Sequence, residues 1–335
     1  VVKQHFVEIW HIANFEKCVY KLWNPSLQAH PGTIVYNFDR FGGWSSLEPM
    51  WHQVQEMGKD LANISATHPE GIHLLGKKYN KSFYRYSQGG LICRVILETF
   101  TNHSVHNFIS LSSPQGGQYG AAFLHLFFPG LVRETAFELF YSRVGQHTAV
   151  GNYWNDPRHQ KLFYDYSVFL PYVNNIIKSE KSDQFKEGLL KLKNMVLIGG
   201  PDDQVITPWQ SSHFGYYDLN ETVIEVKSQD IYTKDLIGLQ TLDKKGKLHI
   251  VTVPGVDHFM WHKNETIHIF LRNDLFLSLL PGPFCLWLMF HSGVILMTNS
   301  QTSTFCCFSM CHCLLDPMPK FALKICTLRL SGSVP

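Results

Sequence analysis

Apolar positions recur along this chain with two periods. Gly32 to Phe38 (GTIVYNF), Gly71 to Leu75 (GIHLL), Asn107 to Leu111, Met195 to Ile198 (MVLI) and Leu248 to Val253 (LHIVTV) are short, nearly continuous apolar runs. Runs of that length read as buried strands. Between the first two, Leu47, Met50, Trp51, Val54, Leu61 and Ile64 fall at helical spacing within Ser45 to Ile64. After the pair Gly89-Gly90, a second helical stripe runs through Leu91, Ile92, Val95, Ile96 and Phe100. Such alternation predicts an α/β chain with a mainly parallel sheet and helices on both faces. Residues 120–190 break the rhythm: Phe123, Leu124, Leu126, Phe127 and Phe128 crowd together, with Tyr153 and Trp154 beyond them. An aromatic segment inserted between sheet strands predicts a cap over an apolar pocket.

Composition changes that picture only toward the C-terminus. With 335 residues, 45% of them apolar and 17% charged, the chain can bury a large core. The formal charge of +2 gives no general attraction to nucleic acid or anionic membranes, and no nucleic-acid partner is expected. Six of the 8 cysteines, however, lie beyond residue 280, and residues 281–335 carry only Asp316, Lys320, Lys324 and Arg329 as charged side chains. The expected organisation is therefore a divergent or incomplete N-terminus over 1–24, one domain over 25–280 and a cysteine-rich apolar tail over 281–335 that reads as translated non-coding sequence. Within the tail, Phe284 to Met297 is too short for a stable membrane span. Cys311 and Cys313 around His312 lack the spaced pairs of a zinc site, so no metal is expected. Sequons at Asn63, Asn80, Asn102, Asn220 and Asn264 point to a glycosylated protein of the secretory pathway. Val1 to Trp23 shows no secretion signal, and a chain that opens Val-Val reads as truncated or mis-assembled at its start.

The informative chemistry is Tyr86-Ser87-Gln88-Gly89-Gly90, between an apolar strand and an amphipathic helix. A serine on a sharp strand-to-helix turn, with small neighbours to relieve the crowded backbone, is the geometry of a nucleophile elbow. Gly89 fits two residues after Ser87, whereas Arg85 two before it is large. A serine hydroxyl needs a histidine base held by a carboxylate, and in this arrangement they follow in the order Ser, Asp, His at strand ends. Gly199-Gly200-Pro201-Asp202-Asp203 follows the strand MVLI, and Pro254-Gly255-Val256-Asp257-His258 follows LHIVTV. Spacing singles out His258 but leaves Asp202 and Asp203 as equal alternatives; Asp257 reads as a solvated neighbour or helix cap.

These residues resemble the palmitoyl-protein thioesterases, on YSQGGLICR around Ser87, FISLSSPQGGQYG from Phe108, NYWNDP from Asn152, GGPDDQVITPWQSSHFGYYDLNET from Gly199, and DHFMWHKNET from Asp257. The similarity spans about His30 to Asn273. It implies an α/β-hydrolase fold without a cofactor, a lysosomal location, and hydrolysis of fatty-acyl thioesters such as palmitoyl-CoA. Position by position, it implies Ser87 as nucleophile, Asp203 rather than Asp202 as the acid, His258 as base, and the backbone N–H of Gln88 as half of the oxyanion hole. Alternatives are a lipase or carboxylesterase of the same fold, or a catalytically impaired acyl-binding relative. Three departures stand out. No histidine before residue 70 is followed by glycine, so the His-Gly loop that gives the family its other oxyanion donor is missing. Gly76 to Arg85 (GKKYNKSFYR) carries four cations and no acid. Either Ser82 to Tyr86 replaces GIHLL as the strand entering the elbow, or this segment loops out, or it is a splicing error. Finally, the cysteine pairs the resemblance implies fall on Arg85 and Cys93 and on Phe140 and Gly151.

Overall fold

A computed structural model describes residues 5–10, 34–76, 88–128, 130–261, 264, 294–298 and 305–309. Six strands form one sheet: β1 (His5–Trp10), β2 (Ile34–Asp39), β3 (Ile72–Gly76), β4 (Val105–Leu111), β5 (Asn194–Gly199) and β8 (Leu248–Thr252). Their order is β2-β1-β3-β4-β5-β8, and every pairing is parallel. Phe108 of β4 sits opposite both Leu74 of β3 and Met195 of β5, and Met195 opposite Leu248 of β8. The α/β class and parallel sheet are as the alternation predicts. GIHLL forms the strand next to β4, whereas Ser82 to Tyr86, the other candidate for the strand before Ser87, lies outside the described residues. Residues 77–87, including Asn80, Arg85 and Ser87, lie outside the described residues, as do residues 11–33.

Two differences from the periodicity have local causes. The first helix, α1, runs Met50–Thr67 rather than from Ser45, with a 3₁₀ turn at Gly43–Leu47 before it. Pro49 is its N-cap and Glu48 before it is extended at ψ 154°. Proline disfavours helical backbone in the residue before it and suits a helix start. The second difference is β1, which comes from residues 1–24 and pairs with β2 on one side and β3 on the other. His5 and Glu8 interrupt its apolar run, so the continuous pattern of an inner parallel strand is absent from HFVEIW.

Helix α2 (Gln88–Thr99) follows Ser87 and is buried along nearly its whole length, Leu91, Ile92, Val95 and Ile96 packing in the core with Leu74 and Phe108. It also carries a buried ion pair. Arg94 Nη1 donates to Glu98 Oε1 at 2.7 Å with both side chains sealed from solvent. The guanidinium further donates to Gln115 Oε1 at 2.7 Å, Asn174 Oδ1 at 2.8 Å and Val173 O at 3.3 Å. The segment between β4 and β5 is not irregular but a chain of short helices, among them Ala121–Phe127, Ala136–Phe140, Ala149–Tyr153, Gln160–Tyr166 and Ser182–Leu190. Several are too short to show a period; Ser142, Thr148 and Asp156 start their turns by accepting backbone N–H bonds. A hairpin of β6 (Tyr216–Tyr217) and β7 (Val223–Ile224) separates β5 from β8.

The chain divides into two compact units, Val1–Leu275 and Phe276–Pro335. The second contains an antiparallel pair, β9 (Val294–Thr298) and β10 (Phe305–Ser309). Among the described residues no helix is long and apolar enough to cross a membrane.

Burial pushes the Glu98 carboxyl up to about 7, against the opposing pull of Arg94. Its folded value exceeds the unfolded one, so the stability it confers is complete below the unfolded value near 4.5 and is lost as pH rises through about 7. Buried His103 and His213, held down at about 4, act in the opposite sense, losing stability as pH falls below 6.5. Glu98→Gln should therefore remove a decline of up to about 1.4 kcal/mol per pH unit between those limits. Urea melts of both proteins at pH 5 and pH 7 test this, and parallel pH dependence would refute it.

Candidate active site

The strand ends on the carboxyl edge of the sheet bring two of the sequence candidates, Asp203 and His258, together. β5 ends at Gly199 and β8 at Thr252, and the loops leaving them run side by side. Val253 N–H donates to Gly199 O at 2.9 Å and His258 N–H to Asp203 O at 3.0 Å. Gly200 permits that approach, because a Cβ there would stand 2.0 Å from the Val253 carbonyl oxygen. Gly90 plays the same part in the first turn of α2, where a Cβ would stand 2.1 Å from Ser113 Oγ beyond β4.

Asp203 is wholly buried and His258 nearly so, at 0% and 4% exposure. His258 Nδ1 lies 2.7 Å from Asp203 Oδ2 and 2.8 Å from Oδ1. The remaining acceptor capacity of the carboxylate is filled. Oδ1 accepts from the N–H of Ile206 at 2.7 Å and of Val205 at 3.2 Å. Oδ2 accepts from Trp261 Nε1–H at 3.1 Å and from the Ser112 hydroxyl. Burial alone would raise the Asp203 carboxyl, but the His258 charge and the bonds from His258, Ser112 and Ile206 hold it below the usual carboxylate value. Asp202 is different: it is exposed and accepts from Gly255 N–H at 2.6 Å. The alternative left open by spacing thus separates by burial, with only Asp203 facing His258.

Gln88 is the first residue of α2. An N–H in the first turn of a helix has no intrahelical acceptor and lies at the positive end of the helix dipole. The Gln88 side chain is turned away into the protein, donating to Gln53 Oε1 at 2.9 Å and Ser46 O at 3.2 Å. Tyr153, from the inserted segment, donates to Gln88 Oε1 at 3.5 Å. Gln118 clamps the loop beyond Asp203, donating to Val205 O and accepting from Thr207 N–H, both at 2.7 Å. Asn152 fixes the insertion to α1 by accepting Met50 N–H at 2.9 Å. A Cβ on Gly151 would come within 3.2 Å of Phe140 O, so the positions onto which the resemblance maps a cysteine pair are neighbours. Of the sequon asparagines, Asn63, Asn102 and Asn220 are exposed and Asn264 is half-buried.

Ser112, Trp261 and Gln53 went unrecognised in the sequence. Ser112 and Trp261 lie in the strings SLSSPQGGQYG and DHFMWHKNET, but neither has a spacing that marks it, and Gln53 occupies a buried position in α1 where periodicity expects an apolar residue. Among the described residues no group of three or more His, Cys, Asp or Glu side chains could hold a metal ion.

A family model described as palmitoyl protein thioesterase matches residues 7–258. The chain is 55% identical over 240 residues to the lysosomal thioesterase PPT2 homolog of Drosophila melanogaster, covering 71% of this chain and 80% of that protein. It is 43% identical over 242 residues to the human lysosomal thioesterase PPT2, covering 72% and 77%. Among solved structures, a carboxylesterase of Nitrososphaera gargenis is similar at a TM-score of 0.39 and 14% identity, over 82% of this chain and 90% of that one, a likeness too remote to carry weight.

Removing the Asp203 carboxylate strands several buried donors at once. Asp203→Ala should destabilise the fold by roughly 3 kcal/mol or more, while Asp202→Ala shifts the denaturation midpoint little. Equal midpoints in urea for the two variants would contradict the burial difference.

Proposed function

Because the chain belongs to the palmitoyl protein thioesterase family, an α/β hydrolase acting on thioesters, we propose that it hydrolyses fatty-acyl thioesters through a Ser87, Asp203 and His258 triad, in lysosomal thioester catabolism. The observation that carries this is the buried Asp203–His258 pair at the ends of β5 and β8, together with the place of Ser87 immediately before α2. With Nδ1 engaged by Asp203, the tautomer that donates there leaves Nε2 as the basic nitrogen. His258 Nε2 takes the proton from Ser87 Oγ as the oxygen attacks the thioester carbonyl. The oxyanion forms beside the first turn of α2, where the Gln88 N–H donates to it. The C–S bond then breaks, Nε2–H protonates the leaving thiolate, and an acyl-serine remains. Water repeats the sequence, giving its proton to Nε2 and releasing the fatty acid as Ser87 recovers its own. Asp203 stabilises the imidazolium in both halves without itself becoming protonated.

The residues 120–190, which reach Gln88 through Tyr153, supply the apolar cover expected over an acyl chain. The lysosomal assignment is supported by the names of the relatives and by the exposure of Asn63, Asn102 and Asn220 for glycan attachment.

A serine-reactive fluorophosphonate should label Ser87 in the wild type and not in Ser87→Ala, and palmitoyl-CoA should turn over faster than a matched oxygen ester. Ser87→Ala or His258→Ala should lower kcat by roughly 10⁴-fold or more. Faster oxygen-ester turnover would make the protein a carboxylesterase, and absence of labelling would leave an acyl-binding protein.

A further inference from the structure

Ser112 is the first residue beyond β4, and its backbone stands in the left-handed region at φ 46°. That region is uncommon for any residue but glycine, so the chain accepts local strain to keep a side chain here. Its N–H donates to Ile198 O at 2.7 Å, fastening the exit of β4 to the end of β5. The side chain is buried, its hydroxyl donating to Asp203 Oδ2 and lying 3.3 Å from His258 Nδ1. It therefore touches both partners of the buried pair from a strand that belongs to neither of their loops.

The rotation of a carboxylate about its terminal torsion is soft, with broad minima. In Asp203 the two backbone N–H groups of its own loop fix Oδ1 only. Orientation of the whole group needs a second anchor on Oδ2, and the donors there besides His258 are Trp261, from beyond His258 in sequence, and Ser112, from β4. Trp261 moves with the His258 loop, whereas Ser112 refers the carboxylate to the central sheet.

We propose that Ser112 is a positioning residue for the reaction, its hydroxyl holding the Asp203 carboxylate so that His258 keeps its proton on Nδ1 and turns Nε2 toward Ser87. This rests on the thioesterase reading above for its kinetic consequence, but not for its geometric one. When Nε2 takes a proton and the imidazolium forms, the hydroxyl stays on Oδ2 and keeps that oxygen from swinging away from Nδ1. Ser112 forms no bond to substrate and transfers no proton.

The test uses the full chain with Ser112→Ala and Ser112→Gly. Both remove the hydroxyl; glycine also relaxes the left-handed backbone, so it remains folded if alanine does not. Thermal melting establishes folding, palmitoyl-CoA hydrolysis gives kcat and KM, and the far-downfield ¹H NMR signal of His258 Nδ1–H reports the Asp–His bond directly. The expected result is a roughly tenfold fall in kcat, the scale of one hydrogen bond to a charged group, at unchanged KM, with the downfield signal shifted or broadened. A folded variant with wild-type kcat and an unmoved signal overturns the proposal, as does loss of folding in both variants, which would make Ser112 a purely structural residue. A wild type that shows the signal but no turnover refutes the thioesterase reading alone, and the signal in Ser112→Gly then decides the role of Ser112.

Discussion

An ionised carboxylate sealed from water is tolerated only where enough donors converge on it, since its desolvation costs several kcal/mol. At Asp203 that requirement organises the site. The donors come from its own loop at Val205 and Ile206, from the loop after β8 at His258 and Trp261, and from the end of β4 at Ser112. They meet only if β4, β5 and β8 are in register and their exits lie close, which is what the parallel pairings and the bare backbone at Gly200 provide. The same convergence holds the Asp203 carboxyl below its usual value despite its burial.

A second buried charge performs a comparable task at helix α2. Arg94 stands on the helix that follows Ser87 and reaches the β4 exit through Gln115 and the inserted segment through Val173 and Asn174, while Phe214 lies 5.2 Å beneath its guanidinium. Gln115 in turn donates to Ser110 Oγ at 2.9 Å. Helix α2, the exit of β4 and the insertion are thereby tied by one planar cation with several directed donors, a task suited to arginine. Two networks, one anionic and one cationic, both pass through the short segment 110–115, where the strained Ser112 sits.

The inserted segment draws its order from polar residues as well as from its many buried aromatics. In NYWNDP, Asn152 bonds the start of α1, Asn155 donates to Gly116 O at 3.0 Å, and Asp156 accepts from the Arg158 N–H at 2.9 Å. Trp154 packs between Tyr119 and Phe140. Helices of four to seven residues cannot stand alone in water; here capping groups and tertiary bonds fix them, which is why the stretch has no readable period yet folds into defined turns.

The sequence by itself determined the α/β architecture, because strand and helix periods are local properties of apolar spacing, and it singled out His258 and the pair Asp202-Asp203 at the ends of two sheet strands. It also located the glycine pairs that let chain segments approach. It missed β1, whose polar interruptions hide a strand that only its two neighbours complete, and it began α1 too early, since Pro49 outweighs the helical spacing before it. The physical difference between Asp202 and Asp203, which spacing leaves equal and the family resemblance resolves toward Asp203, belongs to the tertiary structure: one side chain points to solvent and the other into a ring of donors. Ser112 and Trp261 were invisible for the same reason. Their roles lie in meeting a carboxylate 91 and 58 residues away in the chain, and such a meeting is a property of folded distance, which no local spacing encodes.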